Sequence, residues 1–358
     1  MTDRSAAIEA FLAASGWGGA VRTPLPGDAS TRSYERLALA GRKAMLMNQP
    51  PSAETAPCPP EASPAERAAL GYNALARLAA GRVEAFVATA RYLKSLGLSA
   101  PAILAADPKA GFAVIEDLGD GLFARLIEAG THERPLYEAA IDALLRLHET
   151  RPPEVLPGGW PLLVYDDLAL KTGHDVFVEW LPRYREGVVF GKDALAAWEA
   201  TWRPIRARGE KGASVFCHRD YHAENLIWLP AREGAARVGL LDFQDAVRAH
   251  PAWDLSMLLH DARRTVSPEL EAACLARYLA ARPDADAEAL RADYHALGAL
   301  NIVRILGIFA RLVTRDGKPR YAAFMPRMWT YLARCLADPA LKELDAWFAA
   351  HVPHEARR

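Results

Sequence analysis

The sequence predicts an α+β chain of two unequal lobes, the first small and rich in strands, the second larger and mainly helical. Three observations predict it. The chain has 358 residues, too many for one ordinary core and suited to two lobes. Its first third holds about five short strand-like apolar runs among helical patterns, while the rest is mostly helical. The helical part is interrupted by three further apolar runs, SVFCH, NLIWLP and RVGLLDF, which read as strands paired around polar loops.

Each element follows in order. MTDRSAAIEAFLAASGWGG reads as a short amphipathic helix, because Asp3, Arg4 and Glu9 interrupt the apolar core that a signal peptide needs. Residues 23–40, with PLPGDASTRSYERLALA, read as strand, small polar turn, strand; KAMLMNQ, from Lys43, is a third strand. ETAPCPPEASPAE is too rich in Pro to be anything but a loop. AERAALGYNALARLAA and EAFVATARYLKSLG are helical, the second stopped by Gly97. PAILAAD and GFAVIED are strands joined by a short turn at residues 107–110.

Composition narrows the function. A formal net charge of −1 gives no argument for nucleic acid or an anionic membrane as partner. Cys58, Cys217, Cys274 and Cys335 lie far apart without a CxxC, so they read as free thiols in a reducing compartment. The most apolar helical stretch, ALGALNIVRILGIFARLV, is broken by Arg304 and Arg311, so no unbroken apolar span is expected. The chain reads as a cytoplasmic monomer with no membrane and no nucleic-acid partner.

The chemistry lies in two stretches. HRDYHAEN places Asp220 and Asn225 five residues apart in a loop between strand-like runs, and LLDFQDA places Asp242 after the next apolar run. Alone, either stretch could be a turn or a helix cap. Together, on a strand–loop–strand–loop unit, they match phosphoryl transfer from a nucleotide. That reaction needs an oriented, partly deprotonated acceptor hydroxyl and metal ions on the phosphate oxygens. Asp220 would take the hydroxyl proton, and Asn225 and Asp242 would offer oxygen ligands to Mg²⁺. His218, Arg219, Asp220 and Asn225 stand at the spacing of the protein-kinase catalytic loop, with Asp242-Phe243-Gln244 at the DFG position. His218 reads as a backbone brace. His222 and Glu224 could touch substrate or metal but read more simply as solvated loop residues.

HRDYHAENL and LLDFQDA, followed by HPAWDLSMLLHDAR, resemble the aminoglycoside phosphotransferase and choline kinase-like superfamily. GDASTRSYERL, QPP, GFAVIEDLGDGLF and ILGIFARLVTRDGKPRY resemble more closely the anomeric sugar kinases of bacterial cell-wall recycling, over residues 5–340. The first resemblance implies the bilobal protein-kinase-like fold, with an N-lobe at 1–116 and a C-lobe at 117–358. It implies ATP and Mg²⁺ as cofactors and a small-molecule acceptor. The second implies N-acetylmuramate or N-acetylglucosamine, phosphorylated at the anomeric hydroxyl. Other kinases of the superfamily, for an aminoglycoside, choline or homoserine, and a non-catalytic nucleotide binder are the alternatives.

By that resemblance Ser30, Thr31, Arg32 and Ser33 cover the nucleotide phosphates, the backbone at Glu116 and Leu118 binds adenine, and Asp254 braces the catalytic loop. One departure stands out. The lysine such kinases carry near the end of the third strand is missing: Lys43 lies at the strand's beginning, and the expected position falls at residues 47–48. Either Lys43 reaches in or Arg32 replaces it. The resemblance also sets the acceptor side against residues 301–334, where seven basic residues stand beside one acid, Asp316. Arg304, Arg311 and Arg315 share a helical face, and Arg304 and Arg311 are the candidate acceptor-binding residues. Surplus positive charge disfavours a polycationic acceptor.

Overall fold

The structure is a computed structural model that describes residues 2–26, 32–50, 58–79 and 81–357. The chain opens with helix α1 (Thr2–Ala14) and a five-stranded antiparallel sheet. Its strands are β1 (Val21–Pro24), β2 (Ser33–Leu39), β3 (Arg42–Asn48), β4 (Ile103–Asp107) and β5 (Phe112–Ile115), in the order β1-β2-β3-β5-β4. Alternation along β3 splits the core. Ala44 and Leu46 face outward and pack with Ile8, Leu12 and Trp17 of the N-terminal segment. Met45 and Met47 face inward and join the main core with Phe86 and Val87. Where β3 ends, Gln49 N–H donates to the Gly111 carbonyl at 2.8 Å. Gly111 has φ +78°, and a Cβ there would lie 2.0 Å from the Gln49 carbonyl oxygen, so only glycine fits.

Between β3 and β4 lie α2 (Pro64–Leu70), α3 (Tyr72–Leu75) and α4 (Val83–Ser95). The sequence predicts one helix across residues 65–80. Instead Gly71, at φ +92°, breaks it after a Ser63–Glu66 capping box has started α2. The broken pair turns two arginines toward the second lobe. Arg67 donates to Asp166 at 2.6 and 3.0 Å, and Arg77 donates to it at 3.1 and 3.2 Å.

The larger part is helical: α5 (Phe123–Glu128), α6 (Glu133–Leu147), α7 (Asp167–Tyr184), α8 (Lys192–Lys211), α9 (Ala252–Leu259), α10 (Pro268–Ala280), α11 (Ala287–Thr314), α12 (Met325–Leu336) and α13 (Lys342–His351). A small hairpin, β6 (Val155–Leu156) with β7 (Trp160–Pro161), precedes α7. α11 is the spine, packed on α7, α8, α9 and α12. At Gly307 it meets the α7 backbone so closely that a Cβ would come within 2.5 Å of Phe177 N. By length and composition α11 could cross a membrane, contrary to the expectation that Arg304 and Arg311 disqualify it. Two-thirds of its apolar window is buried inside the fold, as in a core helix.

Between α8 and α9 run β8 (Val215–Cys217), β9 (Leu226–Trp228), β10 (Val238–Leu240) and β11 (Val247–Ala249). β9 pairs with β10, as expected. β8 pairs instead with β11, a three-residue strand too short to register as a periodic pattern.

Candidate active site

The loop from β8 to β9 carries residues 218–225, and its shape is imposed from α9. Asp254, fully buried, accepts the backbone N–H of His218 at 2.6 Å and of Arg219 at 2.8 Å, and the Cys217 thiol at 3.2 Å. Arg219 sits at φ +79°, a strained conformation for a non-glycine residue. Its guanidinium donates to the carbonyls of Ala76 and Arg77 and lies 4.8 Å from the centre of the Tyr165 ring. His218 is wholly buried, edge-on to Tyr221 and Phe243, and burial pushes its pKa down. Phe243 in turn stacks on Phe86 of α4 at 4.8 Å.

Asp220 follows, half-buried. Burial pushes its carboxyl pKa up, against the opposing pull of Arg304. Asn225 returns to it: Nδ2 donates to the Asp220 carbonyl at 2.9 Å and meets His222 Nε2 at 3.3 Å. Among the described residues no hydrogen bond reaches Asn225 Oδ1, which leaves that oxygen available as a ligand. Asp242, also left-handed at φ +59°, stays solvent-exposed. Its Oδ1 accepts from Gln244 Nε2 at 2.9 Å and from Arg32 Nη1 at 3.3 Å. Among the described residues no three His, Cys, Asp or Glu side chains form a metal cage. One carboxylate and one amide oxygen are the hard oxygen ligands that would suit Mg²⁺.

Arg32 is the cation the structure brings to this site. It is nearly buried (8 % side-chain exposure) and also contacts Gln244 Oε1 at 3.0 Å, Tyr34 at 3.2 Å and Gln49 Oε1 at 3.3 Å. Lys43 is exposed at the far end of β3, and buried Met47 occupies the position where a lysine is usual. Glu84, on α4, pairs locally with Arg82 at 3.0 Å. Ser33 is exposed and accepts from Asn48 Nδ2 at 3.3 Å. Ser30 and Thr31 lie outside the described residues.

Just after β5, Glu116 N–H donates to Ala102 O, and the Glu116 carboxylate takes Arg232 at 2.6 Å. Among the described residues neither the Glu116 carbonyl nor the Leu118 N–H is hydrogen-bonded, so both remain available to a ligand. His222 is not the solvated residue expected: it is 7 % exposed, takes Arg263 Nη1 at 3.2 Å, and burial drives its pKa well down. Glu224 is exposed, as expected, and pairs with Arg263 at 2.6 Å. Arg304, on α11, donates to Asn301 Oδ1 at 3.1 Å and lies over Trp253. Arg311 lies over Tyr72 at 5.0 Å. Arg315 parts from these two and pairs with Asp316 in solvent.

Several residues here escape sequence reasoning. Asp245 accepts Ala79 N–H at 2.6 Å, Arg263 reaches His222 of the loop, and Tyr165 and Tyr72 lie beside Arg219. Asp245 carried a signal, its place inside LLDFQDA, as did Arg263 at the end of HPAWDLSMLLHDAR; Tyr72 and Tyr165 carried none.

The model of the phosphotransferase enzyme family matches residues 21–297. The chain is 71 % identical over its full length to an N-acetylmuramate/N-acetylglucosamine kinase of Caulobacter vibrioides, and the match covers 99 % of that protein. It is 30 % identical to a Pseudomonas aeruginosa protein of the same name, with 95 % of this chain and 92 % of that one covered. Among solved structures, a Streptococcus pneumoniae choline kinase superposes with TM-score 0.52 at 14 % identity, covering 92 % of this chain and 99 % of that one. An ADP-bound aminoglycoside phosphotransferase gives 0.51 at 12 % identity, with 88 % and 94 % covered. These likenesses carry the bilobal fold.

Proposed function

Because this chain belongs to the phosphotransferase enzyme family, we propose that it is an ATP-dependent kinase acting on the anomeric hydroxyl of N-acetylmuramate, with N-acetylglucosamine as a second acceptor. The observation that carries the reaction type is the meeting of Asp220, Asn225, Asp242 and Arg32 at one cleft. The acceptor class rests on full-length likeness to kinases named for both sugars.

In this reading the boundary between lobes falls at residues 116–117, and the free Glu116 carbonyl and Leu118 N–H bind the adenine edge. Arg32 supplies the positive charge that the third strand lacks, aided by Ser30, Thr31 and Ser33. When bound, Mg²⁺ neutralises phosphate charge, and Asn225 Oδ1 and Asp242 are the oxygens that would hold it. Asp220 orients the acceptor hydroxyl and takes its proton as the new O–P bond forms and the bond to the ADP oxygen breaks. Its raised pKa makes it a better proton acceptor than an exposed aspartate. Asp254 and His218 hold the loop that carries it. His222 and Glu224 fix Arg263 beside the loop, and Arg304 and Arg311 border the acceptor. Two arginines there oppose a polycation, so aminoglycosides are poor acceptors.

The test is ATP consumption over a panel of amino sugars, aminoglycosides and amino alcohols, with phosphorus NMR of the product. We expect an anomeric phosphate on N-acetylmuramate and no useful turnover of kanamycin-type compounds. Phosphate elsewhere on the ring, or faster turnover of an aminoglycoside, overturns the acceptor assignment. A protein that binds nucleotide and consumes none is a non-catalytic binder.

A further inference from the structure

Most basic residues late in the chain have an obvious structural partner. Arg334 pairs with Glu271 at 3.0 Å, Arg315 with Asp316, and Arg327 donates to the Ala262 carbonyl at 2.6 Å. Arg311 differs. Its Nε is buried without a hydrogen-bond partner, and among the described residues no carboxylate lies within ion-pair distance of it. The one acid of that stretch, Asp316, is taken by both arms of Arg315 at 2.6 and 3.0 Å. The side chain is half-buried, and a guanidinium N–H withdrawn from water without an acceptor is costly unless a partner arrives later.

What Arg311 does touch is Tyr72, whose ring it overlies at 5.0 Å. Tyr72 comes from α3, a segment distant in sequence from α11. That helix is anchored at several points: Arg67 and Arg77 grip Asp166, and Arg219 of the Asp220 loop donates to the carbonyls that follow Tyr72. The Tyr72 hydroxyl is near enough to Arg219 and Tyr165 to act on both electrostatically. Among the described residues it has no hydrogen-bond partner of its own.

We propose that Arg311 and Tyr72 form the receptor for the acceptor's carboxylate, and that this pair sets the preference for N-acetylmuramate over N-acetylglucosamine. The proposal rests on the amino-sugar reading. The guanidinium offers paired N–H donors in the plane a carboxylate matches. The Tyr72 ring backs the guanidinium and limits its rotation, and its hydroxyl adds a donor. N-acetylglucosamine lacks the lactyl carboxylate and leaves the pair unused.

The experiment compares KM for the two sugars at saturating ATP in wild type, Arg311→Met, Arg311→Lys, Tyr72→Phe and Tyr72→Ala, with melting temperature recorded for each. A charge-assisted bidentate contact implies a rise in KM for N-acetylmuramate of roughly tenfold or more in Arg311→Met. The rise for N-acetylglucosamine should be several times smaller, and kcat should move less than KM. Arg311→Lys should fall between wild type and Met, Tyr72→Ala should be selective in the same direction, and Tyr72→Phe should lose least. Should Arg311→Met fail to fold, the lysine variant carries the test. Equal effects on the two sugars, or no selective effect in either arginine variant, overturn the pair while leaving the kinase reading intact. A wild-type protein that phosphorylates neither sugar removes that reading and the proposal with it.

Discussion

Replacing Arg32 with alanine should raise KM for ATP far more than replacing Lys43. The structure sets the size of the effect. Arg32 is nearly out of solvent and holds four polar groups: Asp242, Gln244, Tyr34 and Gln49. A charge-assisted contact in such surroundings is worth about 1.5–3 kcal/mol. At about 1.4 kcal/mol per decade that becomes roughly a ten- to hundredfold rise in KM. Lys43 projects into solvent, where a charge contributes less than about 1 kcal/mol, or roughly fivefold. It also lies four residues up the strand from Met47, the position where a lysine is usual, about 13 Å at strand rise. The assay is ADP release against ATP concentration at saturating acceptor, with Arg32→Lys as the variant that keeps charge without the planar fork. Because Arg32 also holds Asp242, the Mg²⁺ dependence is followed in parallel. An Arg32→Ala enzyme within twofold of wild type in KM for ATP, or a larger effect from Lys43→Ala, refutes the reasoning.

Three further outcomes are expected. Asp220→Asn should lose about 10²–10⁴ in kcat through the missing base, with nucleotide affinity measured by calorimetry nearly intact; near-normal turnover would remove Asp220 from its role. Asp242→Ala should weaken Mg²⁺-dependent nucleotide binding more than Asn225→Ala, since a carboxylate is the stronger ligand; identical metal titrations of both variants and wild type would defeat this. Glu271 accepts from His260, Tyr294 and Arg334, and its carboxyl is held down to about 2 from an ordinary 4.5. A depressed carboxylate stabilises above its unfolded pKa, so about 3 kcal/mol should be lost as pH falls from about 5 toward 2. Chemical denaturation of Glu271→Gln across that window should show a flatter acid limb, and an unchanged limb would contradict it.

The fold class and the loop bearing Asp220, Asn225 and Asp242 were legible because both live on short-range order. Strand alternation and a fixed spacing within one strand–loop–strand unit do not depend on distant contacts. The missing strand lysine was legible too, as a gap, and it pointed to Arg32, which the structure sets against Asp242. What sequence could not show was tertiary in origin. A helix read straight through residues 65–80 breaks at Gly71, and that break brings Tyr72 under Arg311. His222 looks like any polar loop residue until the fold buries it against Arg263. The pairing of β8 with β11 rests on three residues, fewer than a periodic pattern needs.

Asp254 makes the Asp220 loop a borrowed shape. Its left-handed kink at Arg219 is held by a carboxylate on a helix more than thirty residues away, through two backbone N–H groups. The loop therefore meets its substrates already folded, and little of the nucleotide's binding free energy goes into ordering it. Activity should then decline on warming together with the α9 core, as one cooperative event, with no earlier phase in which the loop loosens while the rest of the protein stays intact.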